Sequence, residues 1–167
     1  MPVTLRPMRR EDAPGVGAMH HRAWVDTYGP MLPETYFDTW TVDDAVRRWR
    51  GLLAAPTAEG TQRLVAADGA TILGLVAAGP SRDLAGRPSP TRPTELWALY
   101  VAQSALGSGL GQELLDAVLQ RAEPAELWVF RDNPRARAFY VRNGFAPDGA
   151  VYTDERFPEL LEIRMAR

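Results

Sequence analysis

Short apolar runs and apolar stripes at helical spacing alternate along this chain. Val3–Arg6 alternates briefly and reads as a first strand. Glu11 to Tyr28 follows with Val16, Met19, Ala23 and Trp24 on one stripe, a helix that Gly29-Pro30-Met31-Leu32-Pro33 breaks. Glu34 to about Leu53 carries Tyr36, Phe37, Trp40, Val42, Trp49 and Leu52, one helix or a pair of short ones. Gln62–Ala67 and Ile72–Ala78 are β-rich on either side of Asp68-Gly69, a dipeptide that favours a hairpin turn. Gly79–Pro93 gathers prolines and arginines with little apolar content and reads as a long loop or mobile flap. Thr94–Ala122 starts apolar and aromatic (Leu96, Trp97, Leu99, Tyr100, Val101), turns through Gly107-Ser108-Gly109-Leu110-Gly111 and ends as a helix. Glu126–Phe130 is another buried strand. Asn133-Pro134 opens a helix that runs to Asn143 and stops at Gly144. Strands around Ala150–Thr153 and Leu160–Met165 close the chain, with Asp154–Pro158 between them.

Strand, two helices, three strands, helix, strand, helix, two strands: this order predicts one mixed α/β (α+β) domain over residues 1–167, with helices layered on a central sheet. A net charge of −2 argues against a dedicated nucleic-acid binder. No apolar run approaches the ~18 residues of a membrane span, and 1–12 lacks an apolar core segment, so a cytoplasmic protein is expected. Edge strands in a small sheet make a homodimer a reasonable expectation.

The missing residue types narrow the chemistry. There is no cysteine and no lysine; all 19 basic residues are arginine. Thiolate nucleophiles, Schiff-base lysines and phosphate-loop lysines are therefore excluded. The two histidines, His20 and His21, are neighbours and cannot grip one metal from a regular helix, so no metal is expected and both read as surface or packing residues. Carboxylates, tyrosine, backbone amides and a borrowed cofactor remain.

The glycine turn suits a phosphate or pyrophosphate: closely spaced glycines aim several N–H groups one way, and the helix behind them adds its dipole. It is not a dinucleotide fingerprint, because position 112 is Gln where that pattern needs its third glycine. A purely structural turn is the other reading. Glu95, at the head of the strand, is either a solvated rim carboxylate or a general base tucked beside apolar rings. Tyr140 shares a helix face with Ala136, and taken alone it reads as a core aromatic. Trp24, Tyr28 and Tyr36 flank the Gly-Pro break and either pack on the sheet or wall a substrate pocket.

Together, Leu99-Tyr100-Val101, Leu106-Gly107-Ser108-Gly109-Leu110-Gly111, Asn133, Phe139-Tyr140 and Gly144-Phe145 resemble the GCN5-related N-acetyltransferase (GNAT) family over Glu95–Phe145. The resemblance implies the family's fold, a mostly antiparallel sheet of about seven strands with helices on both faces. It implies acetyl-CoA as donor, with pantetheine along the backbone of Leu99–Val101 and diphosphate on the amides of 107–111. Asn133 would help hold the pantetheine, Tyr140 would protonate the departing thiolate, and Glu95 would be the base. One departure stands out: the turn usually begins with Arg or Gln, and here the residue is Leu106. The implied reaction is direct acetyl transfer to a primary amine of a small molecule or peptide. A non-catalytic acyl-CoA-binding module is the alternative, and a nucleotide-binding domain a third.

Overall fold

The computed structural model describes residues 3–155 and 158–167; Arg156 and Phe157, inside the expected 154–158 connection, lie outside the described residues. The elements are β1 (Thr4–Pro7), α1 (Ala13–Tyr28), α2 (Glu34–Thr39), α3 (Val42–Ala54), β2 (Gln62–Asp68), β3 (Thr71–Pro80), β4 (Thr94–Val101), α4 (Leu110–Val118), β5 (Ala125–Phe130), α5 (Pro134–Arg142), β6 (Ala146–Thr153) and β7 (Leu161–Ala166). Single 3-10 turns stand at Arg10–Asp12 and Gln103–Ala105. The seven strands form one mixed sheet in the order β1-β2-β3-β4-β5-β7-β6. β4 and β5 run parallel, whereas β1 with β2, β5 with β7 and β6 with β7 run antiparallel. This is the mixed architecture expected of the sequence.

Contacts gather the chain into two compact units, Met1–Ala77 with Ala98–Val118, and Ala78–Trp97 with Leu119–Arg167. In the first, the stripe Ala13, Val16, Met19 and Ala23 of α1 packs with Trp49, Val65, Ala67, Ile72 and Leu75. Gly17 lets α1 approach α3 closely, since a Cβ there would come within 2.7 Å of the Val46 backbone. Thr41 and Asp44 cap α3 reciprocally, each side chain taking the other's backbone N–H. In the second unit, Leu127, Phe145 and Met165 are fully buried.

Among the boundaries that differ from the sequence reading, three stand out. α1 starts at Ala13 rather than Glu11, because Asp12 is pinned by the Arg6 guanidinium (2.7 and 2.8 Å) and the Arg9 N–H (2.7 Å) in the preceding 3-10 turn. α4 ends at Val118 rather than near Ala122. Beyond it the carbonyls of Gln120 and Glu123 are taken by Arg167 (2.7 and 3.1 Å), and Pro124 follows. β6 begins four residues early, at Ala146, and its register shifts between Pro147 and Val151, where Gly149 has φ +93°.

Candidate active site

The turn between β4 and α4 is built as an open cradle of amides. Gly107 and Gly109 have φ of +78° and +92°, conformations that only glycine adopts without strain. A Cβ at either would meet nothing within 4 Å, so the space beside both is open. Gly111 already lies inside α4. The intervening amides are used: Ser108 N–H reaches the Ala105 carbonyl and Leu110 N–H the Ser108 hydroxyl. The N–H groups of Gly107, Gly109 and Gly111 engage no acceptor among the described residues. Three unpaired donors at the positive end of a nine-residue helix fit an anion of diphosphate type.

Within the same unit, the three predicted wall residues come together. Trp24 lies 4.7 Å from Tyr28 and 5.9 Å from Tyr36 between ring centroids, and its Nε1–H donates to the Tyr100 hydroxyl at 3.0 Å. The aromatic helical segments and the end of β4 thus share one cluster. His20, read from sequence as a surface or packing residue, belongs to it as well: its ring is 4.5 Å from that of Tyr100, and its Nδ1 accepts the Trp49 indole N–H at 3.1 Å. That bond places the neutral ring's proton on Nε2, which is buried and has no partner among the described residues. Burial, reinforced by Arg48 and His21, pushes the His20 pKa down to about 4.

A pH dependence of stability follows. The unfolded chain binds a proton at His20 near pH 6.5, while the folded one resists until about 4. The folded state is therefore unpenalised above 6.5 and loses stability as pH falls through this window. The difference is about 3 kcal/mol. Denaturant unfolding of the wild type and of His20→Gln between pH 7.5 and 4 is expected to show a shallower acid loss in the variant; parallel curves would contradict the assignment.

In the second unit, Glu95 is not a solvated rim carboxylate, and the group set against it is a guanidinium. It is 3% exposed, and Arg82 grips it: Oε1 takes Nη2 at 2.6 Å, while Oε2 takes Nε and the Arg82 backbone N–H, each at 3.1 Å. The guanidinium carbon sits 5.1 Å from the centre of the Trp97 ring. Beside Glu95, its parallel-register partner Glu126 is also buried. Glu126 Oε2 accepts from Thr91 N, Thr91 Oγ1 and Arg92 N at 2.7, 3.0 and 3.0 Å. Two glutamates therefore hold the two ends of the proline- and arginine-rich segment that reads from sequence as a long loop or mobile flap. Its middle is held by Arg87, which pairs with Glu162 and lies over Trp128 and Tyr152, and by Arg164, which donates to the Ser89 carbonyl at 2.7 Å.

Tyr140 is buried on α5, edge-on to Phe139 and Phe145 at 5.4 and 5.9 Å. Asn133 caps that helix, its Oδ1 accepting from Ala136 N–H at 3.1 Å, and Gly144 follows at φ +83°. The ladder of β4 on β5 spans Thr94–Leu96 against Ala125–Leu127, so Leu99, Tyr100 and Val101 lie beyond its end.

Comparison with known proteins points one way. The model of the acetyltransferase (GNAT) family matches residues 21–145. Over 155 residues the chain is 28% identical to a Mycobacterium tuberculosis protein named "Probable N-acetyltransferase", covering 90% of this chain and 84% of that one. Among solved structures, PaiA N-acetyltransferase from Thermoplasma acidophilum in complex with coenzyme A aligns with a TM-score of 0.66 at 20% identity, covering 100% of this chain and 99% of that one. An acetyltransferase from Thermus thermophilus aligns with a TM-score of 0.63 at 22% identity, covering 100% and 97%. At these identities the structural likeness is one of fold.

Proposed function

The chain belongs to the acetyltransferase (GNAT) family, and on that premise we propose that it transfers the acetyl group of acetyl-CoA directly to a primary amine. The observation that carries this reading is the glycine turn, with open space beside Gly107 and Gly109 and three amides lacking a protein acceptor. Acetyl-CoA supplies the acyl group as an activated thioester. The amides of Gly107, Gly109 and Gly111 hold the diphosphate, with Leu106, Ser108 and Leu110 shaping the turn. The backbone of Leu99–Val101, past the β4–β5 ladder, pairs with the pantetheine arm, and Asn133 supports it.

With no cysteine to carry an acyl group, one ternary complex is the simpler course. Glu95 accepts the proton that leaves the amine, through a water molecule. A backbone N–H near Leu99 faces the acyl oxygen as negative charge grows there. Tyr140 Oη gives a proton to the departing sulfur. Trp24, Tyr28 and Tyr36 wall the acceptor.

The test is melting temperature against acetyl-CoA, CoA, NAD and ATP, followed by free-thiol release across a panel of amines. Stabilisation by the two CoA species alone, with thiol release by at least one amine, is the expected result. Stabilisation without thiol release would make the chain a non-catalytic acyl-CoA-binding module. A shift with NAD or ATP and none with CoA would refute the reading.

A further inference from the structure

Arg82 and Glu95 form a pair of opposite charges with a spare valence on each side. A carboxylate offers about four acceptor positions. Three on Glu95 are filled, two on Oε2 and one on Oε1, all by Arg82. The guanidinium turns its Nε and one Nη2 proton toward Glu95. Its other edge, Nη1 and the second Nη2 proton, engages no acceptor among the described residues. That edge belongs to a side chain 41% exposed, standing over a carboxylate 3% exposed. Trp97 covers one face of the guanidinium and keeps it in place. Two more polar groups of this segment, Trp97 Nε1–H and the Ser81 hydroxyl, are buried without a partner among the described residues.

The charges decide what fits. Arg82 and Glu95 sum to zero, so a polyamine brought to Glu95 meets the guanidinium, and a simple anion brought to Arg82 meets the carboxylate. A molecule carrying both signs on adjacent atoms suits both. The planar outer edge of an arginine matches a carboxylate in two parallel hydrogen bonds. The free position on Oε1 serves an ammonium proton alongside, through the water molecule that relays it.

We propose that the acyl acceptor is an α-amino acid, or a small molecule with the same carboxylate-beside-amine arrangement, its carboxylate on the outer edge of Arg82 and its amine at Glu95. This rests on Glu95 as the proton acceptor of the acetyl transfer argued above. The ammonium releases one proton through Glu95 to solvent, the freed nitrogen bonds to the thioester carbon, and as the carbon–sulfur bond breaks the nitrogen gives up a second proton to Glu95. The sulfur leaves with a proton from Tyr140, giving an N-acetyl amino acid and CoA. The proton on Glu95 passes to solvent, and Tyr140 is reprotonated from it.

The experiment is thiol release from acetyl-CoA by the wild-type enzyme with amino acids, their carboxamides, the decarboxylated amines, and spermidine. The best amino acid is expected to exceed its own amide and decarboxylated amine roughly 10- to 100-fold in kcat/KM, the worth of a charge-assisted contact. Arg82→Gln is expected to erase that preference, raising KM for the amino acid more than it lowers kcat. Thiol release by amines with no gain from a carboxylate overturns this inference and leaves acetyl transfer standing. So does a preference that survives Arg82→Gln. Silence with every acceptor overturns both. The wild-type panel decides even if the variant fails to fold.

Discussion

Replacing Tyr140 with phenylalanine is expected to lower kcat about 100-fold or more while KM for acetyl-CoA stays within about twofold. The separation of the two constants is the informative part. Tyr140 is 8% exposed and packs edge-on against Phe139 and Phe145, contacts that a phenylalanine ring keeps. Its backbone carbonyl receives Asn143 N–H and Phe145 N–H at 2.9 and 3.0 Å, so the end of α5 is fixed by main chain and unaffected. What the substitution removes is one hydroxyl. If that hydroxyl protonates the leaving sulfur, its absence leaves an unprotonated thiolate to depart, a penalty confined to the transition state. The backbone amides of the glycine turn, proposed to hold the diphosphate, are untouched. Steady-state kinetics and a thermal shift with CoA give both quantities. Equal loss of turnover and affinity, or no loss, would remove Tyr140 from the mechanism.

Local signals in the sequence carried further than chemical ones. Asp68-Gly69, Asn133-Pro134 and Gly144 mark real boundaries because each acts through its own backbone geometry, as the positive φ of Gly69 and Gly144 attests. Gly107 and Gly109 behave the same way, whereas Gly111 is a helical residue whose spacing made it look like part of the turn. Glu95 was singled out by its place on a strand, yet its surroundings were hidden. Arg82 comes from a loop without periodicity, and nothing in a proline-rich segment says which arginine turns inward. His20 was passed over for a related reason. It sits at the border of the α1 stripe, and only Trp49 and Tyr100, far along the chain, make it a buried neutral ring. The end of α4 was overrun because Leu119 continues the helical pattern. The group that stops the helix, Arg167, lies 47 residues from Gln120. A usable signal did exist for the loop: three arginines in a chain without lysine, followed by acidic residues inside apolar strands at Glu95 and Glu126. Planar guanidinium forks suit buried carboxylates and aromatic faces, and both uses occur here.

Glu126→Ala is expected to destabilise the protein by about 3 kcal/mol. Glu126 is 2% exposed, and one of its oxygens serves three donors, the N–H and hydroxyl of Thr91 and the N–H of Arg92. Alanine leaves these groups without that acceptor, and each buried unsatisfied donor costs roughly 1–3 kcal/mol unless it can turn to water. Two effects pull the other way. Deleting a buried carboxylate recovers its desolvation cost, and Glu95, in register on the adjacent strand, loses a like-charged neighbour. They set the expectation at the lower end of the range for breaking a buried charged contact, not near zero, because two of the three donors belong to backbone that cannot rearrange freely between Pro90 and Pro93. For a chain of this size the loss corresponds to a melting temperature lower by about 6–12 °C. Faster hydrogen exchange at the Thr91 and Arg92 amides should accompany it, since Glu126 is what protects them. Glu126→Gln keeps an acceptor oxygen and should lose less. A Glu126→Ala protein that melts with the wild type and protects both amides would show the loop held by Arg82, Arg87 and Arg164 without Glu126, with that buried carboxylate idle.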